Sequence, residues 1–397
     1  MYQMKKLLET IAIPRAVGTS GNNKIIQLMK ERFRRDGYAV KSMPFSCKVW
    51  NAEESYIEWD NNRQLINVSP YSKGINGKGH IKVVDTLEKL EPLDQLECED
   101  VILFVSGELA QEQFQPKDYP FYYPDEHKRI IDLLEEKKPR AIIAVTGKHP
   151  MCGLNPFPLF DDGNFQIPSG YMSINDFMEI KDDILDKCVT INIASNCEET
   201  TSEQLCAYKR VENSQGKIVI CAHMDSKNNA VGALDNASGV VTLMKLAENL
   251  HLEDYDIDFV PFNSEEYYGA NGELLYLEDM QKSADNIKLL INIDSVGHIG
   301  SKVDISLYNI SEEYTSSITK LISENKNVQL GQEWYAGDHV PFAFQGIPCI
   351  AIASSDMWEG GLDQTHTMED SVSNVDERLL AEAESFVRVL LEQIGIK

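Results

Sequence analysis

The sequence has few basic residues relative to its acidic ones. It contains 37 Lys and Arg against 63 Asp and Glu, which gives a formal net charge of −26. Proteins that bind a nucleic-acid duplex or an anionic membrane need basic residues to neutralise phosphates, so neither partner is expected. A field of this sign instead favours cationic substrates or bound metal cations. No motif in the chain specifies an oligomeric state.

Long apolar runs and closely spaced cysteine pairs are also missing. No stretch approaches the ~20 apolar residues of a membrane-spanning helix. Glu9 and Pro14 interrupt the N-terminal segment before the apolar core of a signal peptide can form. The eight cysteines include no CxxC pair, and a chain of 397 residues does not need disulfides for stability. We therefore predict a cytoplasmic protein with reduced thiols, unless a secretory leader has been trimmed.

The second half of the chain alternates between apolar runs and amphipathic stretches. The apolar runs predict buried strands at 218–221, 257–262, 289–293 and 349–352. The amphipathic stretches predict helices at 237–250, 270–280, 312–324 and 375–394, and another helix is predicted at 19–37. Strand–helix alternation is typical of an α/β domain with a mixed, largely parallel sheet and helices on both faces.

Residues 50–205 have a different sequence pattern. Short alternating or apolar runs lie between turns rich in Asn, Asp, Gly and Pro, with one clear helix near 126–136. This pattern predicts a β-rich module inserted into the α/β domain. The domain boundaries are then 1–49 with 206–397 for the α/β domain, and 50–205 for the insertion.

Three of the predicted strands end on residues that can bind a metal ion. His223 follows the strand at 218–221, Glu265 and Glu266 follow the strand at 257–262, and Asp294 follows the strand at 289–293. Ligands of open α/β sheets bind outside the carboxyl ends of the strands. We therefore expect these four side chains to lie at one edge of the sheet.

Asp235, at the start of a predicted helix, and His366, in the loop before the last helix, complete the candidate set. Alone, Asp235 is most often a helix cap and a histidine after a strand is most often an ordinary polar residue. Together, two histidines and several carboxylates suit a borderline cation such as zinc.

Two further features refine this metal-site hypothesis. Hydrolysis at a metal needs one carboxylate on the metal and another that moves a proton, and the adjacent Glu265 and Glu266 can divide these tasks. Asp225 lies two residues after His223, where it either holds the imidazole N–H or is a simple turn residue.

Several longer motifs carry a family resemblance. They are PRAVGT at 14–19, HMDS at 223–226, GALDNASG at 232–239, FNSEE at 262–266, NID at 292–294, GDHVPF at 337–342, GIP at 346–348 and HT at 366–367. In these motifs the chain resembles the co-catalytic di-zinc aminopeptidases, which have a zinc-exopeptidase fold with an inserted protease-associated (PA) domain. The strand at 141–145 and the IPSG segment at 167–170 are similar to the PA module.

The resemblance implies a role for each candidate residue. Asp235 would bridge two zinc ions, with His223 and Asp294 completing one site and Glu266 and His366 the other. Glu265 would be general base and acid, and Asp225 would support His223. A cis peptide bond is implied between Asp235 and Asn236. The implied activity is hydrolysis of N-terminal residues from peptides with a free N-terminus, through a hydroxide activated by two zinc ions or other divalent metals.

Other readings of the same fold stay open. They are a catalytically inactive receptor or interaction module, a single-zinc cyclotransferase, and a carboxypeptidase or deacylase acting on small amides. Ligand-type residues are present at all five ligand positions, and Glu265 is also present, which argues against an inactive relative. The presence of His223 argues against a single-zinc site. Thr365 stands where many members of the family have an aromatic residue. This leaves Tyr335 as a candidate hydrogen-bond donor to the oxyanion. Asp338 and His339 are not assigned as ligands.

Overall fold

A computed structural model describes residues 2–117, 119–185, 187–280 and 286–393. Packing divides the chain into two compact units, Met1–Cys47 with Thr201–Lys397, and Lys48–Thr200. Among the described helices, none combines the length and the apolarity needed to cross a membrane.

The strands, in chain order, are β1 (Ala39–Ala52), β2 (Ser55–Trp59), β3 (Asn62–Val68), β4 (Ile75–Val84), β5 (Val101–Val105), β6 (Ala141–Thr146), β7 (Ser169–Ser173), β8 (Cys188–Ile193), β9 (Ser195–Lys209), β10 (Lys217–His223), β11 (Asp256–Phe262), β12 (Ile287–Ile293), β13 (Val303–Tyr308), β14 (Val328–Leu330) and β15 (Cys349–Ser354). The helices are α1 (Tyr2–Ile11), α2 (Ser20–Arg35), α3 (Leu87–Leu90), α4 (Gln95–Cys98), α5 (Asp125–Lys137), α6 (Ile174–Ile184), α7 (Ser238–Asn249), α8 (Asn271–Met280), α9 (Glu312–Ser323), α10 (Val340–Ala343) and α11 (Glu377–Gln393). Residue 394, the predicted end of the last helix, lies outside the described residues.

A mixed sheet organises the first unit. Its strand order within the described chain is β1-β9-β11-β10-β12-β15-β13-β14. The central strands β11, β10, β12 and β15 are parallel, with Ile220 of β10 paired to Phe259 of β11 and to Ile291 of β12. Antiparallel pairing joins β9 to β11 and β13 to β15. The register brings the carboxyl ends of β10, β11 and β12 to one edge of the sheet.

One apolar cluster packs this sheet against helices α1, α2, α7 and α11. Helix α7 is buried along nearly its whole length, which explains why its sequence is apolar on most faces rather than on one stripe. Phe33, Tyr38 and Phe259 pack ring against ring, with centroids 5.3 to 6.3 Å apart. This core fixes the strands whose ends carry the candidate residues.

Helix α2 shows how local sequence sets an element boundary. Thr19 caps its start, because the backbone N–H of Asn22 donates to Thr19 Oγ1 at 3.3 Å. Gly37, at φ +84°, follows the helix end in the left-handed conformation that glycine adopts without strain. The observed helix therefore ends within two residues of the predicted range 19–37.

The second unit contains a closed barrel. Its strand order in the described part of the chain is β2-β3-β7-β6-β5-β4-β8. Strands β4, β5, β6 and β7 pair in parallel, and the remaining pairs are antiparallel. Two apolar clusters fill this unit, and helices α5 and α6 each contribute residues to one of them.

Candidate metal centre

His223 is the first candidate ligand that the fold places. As the last residue of β10 it is 1% exposed. Its Nε2 lies 3.0 Å from Asp235 Oδ1 and 3.5 Å from Asp294 Oδ1. Its other nitrogen, Nδ1, has no hydrogen-bond partner among the residues that the structure describes. The imidazole thus presents one nitrogen to two carboxylates.

His366 forms a second group on the other side of Asp235. Its Nε2 lies 3.2 Å from Asp235 Oδ2 and 3.2 Å from Glu266 Oε1. One group is His223, Asp235 and Asp294, and the other is Asp235, Glu266 and His366. In each group, the candidate ligand atoms lie within 4.8 Å of one another. The two oxygens of one carboxylate, Asp235, therefore face two different histidines.

The charges around these histidines fit bound cations. Burial alone would lower the pKa of His223, but the carboxylates of Glu265, Asp235 and Asp294 raise it well above its ordinary value. Buried carboxylates that repel one another are stable only when a cation or a shared proton balances them. Imidazole and carboxylate donors are those that zinc prefers, so each of the two groups fits a divalent cation.

Asp225 determines where the Glu265–Glu266 pair lies. This residue is fully buried, and its carboxylate accepts the backbone N–H groups of Ser264 (3.1 Å), Glu265 (3.2 Å) and Glu266 (3.1 Å). These residues follow β11, whereas Asp225 follows β10. One carboxylate thus ties the loop after β11 to the neighbouring strand.

The hydrogen bond expected between Asp225 and His223 is not formed. Asp225 Oδ1 lies 3.9 Å from His223 Nδ1, which exceeds hydrogen-bond range. The physical reason is that three backbone N–H groups already orient this carboxylate. The two side chains still interact electrostatically, because His223 partly opposes the rise that burial causes in the pKa of Asp225.

Replacing Asp225 by asparagine is expected to weaken metal retention about 10–100-fold, the usual effect of losing a group that orients ligands. One carboxylate oxygen becomes an amide NH₂, which cannot accept from the loop that carries Glu266. The measurement is metal content after dialysis, together with thermal unfolding of the metal-free protein. The exposed Asp254→Asn is the matched control. Unchanged metal retention in Asp225→Asn would contradict this role.

Asn236 places Asp294 beside Asp235. Its side-chain NH₂ donates to Ile293 O at 2.8 Å, and its Oδ1 accepts the N–H of Ser295 at 3.2 Å, so it binds the residues on both sides of Asp294. The peptide bond between Asp235 and Asn236 is cis, which confirms that expectation. At Gly239, a Cβ atom would lie 2.3 Å from Asn236 Oδ1, so only glycine fits there. Sequence reasoning assigned Asn236 no role, and its only signal was its position next to Asp235.

Glu265 directly precedes the candidate ligand Glu266 and is partly buried. Burial raises the pKa of its carboxyl group well above the ordinary value; His223 opposes this shift, while Glu266 and Asp338 reinforce it. A carboxyl group with a raised pKa next to candidate metal ligands is typical of an acid–base catalyst.

His339, Thr365 and Tyr335, which the sequence also singled out, have partners outside the two ligand groups. His339 is fully buried; its Nε2 lies 3.1 Å from Trp334 O and its Nδ1 3.4 Å from Asn292 Nδ2, so both ring nitrogens have protein neighbours. The Thr365 hydroxyl donates to Leu362 O at 2.9 Å, and the Tyr335 hydroxyl donates to Glu333 at 2.6 Å. In the structure, each of the two hydroxyl groups therefore donates to a group within three residues along the chain.

Comparison with known proteins gives a family match in the part of the chain that contains the candidate ligands. Residues 207–391 match the sequence model of peptidase family M28. Aminopeptidase YwaD of Bacillus subtilis (strain 168) is 26% identical over 199 residues, which cover 47% of this chain and 43% of that protein. The match therefore spans less than half the length of this relative.

Solved structures resemble nearly the whole chain. The aminopeptidase from Aneurinibacillus sp. strain AM-1 has a TM-score of 0.76 at 18% identity, covering 99% of this chain and 93% of that one. BSAP, a zinc aminopeptidase from Bacillus subtilis, has a TM-score of 0.73 at 17% identity, covering 99% and 94%. At these identities the likeness shows the fold, and it confirms the predicted mixed α/β class.

Proposed function

We propose that this protein is a zinc aminopeptidase, because residues 207–391 match the model of peptidase family M28, in agreement with the sequence resemblance. It would remove N-terminal residues from peptides that have a free N-terminus. The strongest support is the position of Asp235, whose two carboxylate oxygens lie 3.0 and 3.2 Å from two different histidines. Such an arrangement suits a carboxylate shared by two metal ions.

Two zinc ions per chain are part of this proposal. His223, Asp235 and Asp294 would hold one ion, and Asp235, Glu266 and His366 the other. The zinc named for BSAP, which shares the fold, supports this choice of metal. When bound, the ions supply Lewis acidity that polarises the scissile carbonyl and makes water a better nucleophile at neutral pH.

Glu265 would move the proton. Its carboxylate would take a proton from the attacking water and return it to the nitrogen of the leaving amine. The Asp225 carboxylate accepts the backbone N–H groups of both Glu265 and Glu266. These hydrogen bonds fix the backbone of the proton-transfer residue relative to that of its metal-binding neighbour. Adjacent glutamates in an irregular loop can face different partners, which a regular strand would prevent.

We also propose that residues 50–205 form a PA-like insertion in a catalytic domain made of residues 1–49 and 206–397. The closed barrel of β2 to β8 supports a β-rich module of this kind. An inactive interaction module would not need complete ligand groups, and a single-zinc cyclotransferase would not need His223 next to Asp235 and Asp294. The observed contacts of His223 therefore favour the two-metal peptidase.

The function is tested with a panel of aminoacyl p-nitroanilides. We expect hydrolysis of substrates with a free α-amino group and none of the matched N-acetylated substrates. Dialysis against a chelator should remove the activity, and zinc should restore it. Hydrolysis of N-acetylated peptides from the carboxyl end, or no hydrolysis by the zinc-loaded protein, would refute the proposal.

A further inference from the structure

Asp370 links two of the candidate ligands. It lies four residues after His366, in the loop between β15 and α11, and it is fully buried. Its carboxylate accepts the N–H of Leu234 at 2.8 Å and the N–H of Asp235 at 3.0 Å. Its carbonyl oxygen accepts the N–H of Ala233 at 3.2 Å. Three consecutive N–H groups that end at Asp235 therefore bind one residue of the His366 loop.

The segment before Asp235 needs such partners because it is not a regular helix. Asp235 has φ −112° and ψ 87°, so its backbone cannot follow the hydrogen-bond pattern of the helix α7 that comes next. Buried N–H groups without a partner are costly, and a carboxylate binds them more strongly than a neutral acceptor does. Asp370 thus provides the hydrogen-bond acceptors that a regular helix would otherwise provide for these N–H groups.

Arg15 binds the two residues that directly precede these N–H groups. Its guanidinium is fully buried and donates to Val231 O at 2.6 Å and to Gly232 O at 2.9 Å. The carbonyl groups of this segment thus meet a buried cation, and its N–H groups meet a buried carboxylate. Of the two, only Asp370 comes from a loop that also carries a candidate ligand.

The two ligand groups differ in how their members are held. His223 and Asp294 lie at the ends of the paired strands β10 and β12, and Asn236 binds the residues beside Asp294. His366 comes from a loop, has φ +65°, and its side chain is 24% exposed. Its position relative to Asp235 therefore depends more on contacts such as those of Asp370.

We propose that Asp370 is a positioning residue that sets Asp235 against His366, and that it thereby determines the metal affinity of the Asp235–Glu266–His366 group. This inference rests on the proposed function, since it concerns the second of the two zinc sites. Asp370 need not touch metal or substrate in this role. Its effect should be strong on one zinc ion and weak on the other.

The test is a zinc titration of metal-free full-length protein against a chromophoric chelator, with Asp370→Asn as the variant. Asparagine has the same shape, but its NH₂ group would face a backbone N–H. We expect the first zinc ion to bind within about threefold of wild type and the second at least about tenfold more weakly. Glu369→Gln, an exposed neighbour with the same change in charge, is the matched control and should bind both ions normally.

A conservative variant separates positioning from general stability. Asp370→Glu keeps both acceptor oxygens and should recover at least part of the affinity for the second ion, and it decides the question if Asp370→Asn does not fold by circular dichroism. Equal weakening of both ions in a folded variant, or unchanged affinity for both, would overturn the inference. The proposed function is judged separately, on the wild-type protein. If wild type binds two zinc ions and cleaves peptides, the proposed function stands even when the inference about Asp370 fails. If wild type does neither, the proposed function itself is refuted.

Discussion

Replacing Glu265 by glutamine is expected to lower kcat/KM for peptide hydrolysis by about 10²–10⁴-fold, the usual contribution of a general acid–base group. Glutamine keeps the size of the side chain but cannot take a proton from water at neutral pH. The backbone N–H that binds Asp225 is unchanged by the substitution, so the loop should keep its position. The measurement is steady-state hydrolysis of an aminoacyl p-nitroanilide by zinc-loaded protein.

Zinc content distinguishes a lost proton carrier from a lost metal site. In the proposed mechanism Glu265 binds no metal, so Glu265→Gln should retain as much zinc as wild type. The exposed Glu369→Gln makes the same change in charge and should keep its activity. A rate for Glu265→Gln within a few-fold of wild type would mean that another group moves the proton.

The strand ends could be predicted from the sequence because each one is an apolar run followed by a polar residue. The observed strands β10, β11 and β12 contain the predicted ranges, and His223 and Asp294 lie where the pattern put them. Asp235 and His366 follow no strand, so spacing alone did not place them beside the others. Their positions at a predicted helix start and in the loop before the last helix made them candidates, and the family resemblance gave each its ligand role.

The hydrogen bonds of Asp225, Asn236 and Asp370 could not be predicted from the sequence. Each joins loops that are distant in the chain, and the acceptors or donors are mostly backbone groups that any residue type would provide. The sequence shows that these residues are polar but not which N–H groups they meet. For this reason the resemblance implies a contact of Asp225 with His223, whereas in the structure Asp225 accepts the backbone N–H groups of the glutamate loop.

Two helices were missed although their apolar residues follow the helical period. Helix α1 was not predicted, although Met4, Leu7, Leu8 and Ile11 recur at helical spacing and are buried in the main core. Helix α6 was also not predicted, although Phe177, Ile180 and Ile184 lie on one helical face and pack inside the second unit. Short helices of this kind gain most of their stability from tertiary packing.

The largest effect on the metal content is expected from replacing Asp235 by alanine. In the proposed centre this side chain belongs to both ligand groups, so its removal leaves each group with two protein ligands. Zinc sites in enzymes usually have three protein ligands, and two seldom hold the ion through dialysis. We therefore expect Asp235→Ala to lose both zinc ions and to lose activity by about 10³-fold or more, a loss comparable to removal of the metal.

His366→Ala provides the comparison that makes this result specific. It removes one ligand from one group, so the ion at His223, Asp235 and Asp294 should stay bound while the other is lost. Zinc per chain should then fall in the order wild type, His366→Ala, Asp235→Ala, with Asp254→Asn equal to wild type. If Asp235→Ala kept one ion as firmly as His366→Ala does, the two groups would not share Asp235. The contacts of 3.0 and 3.2 Å from its two oxygens to His223 and His366 argue that they do share it, because no other described side chain lies in both groups.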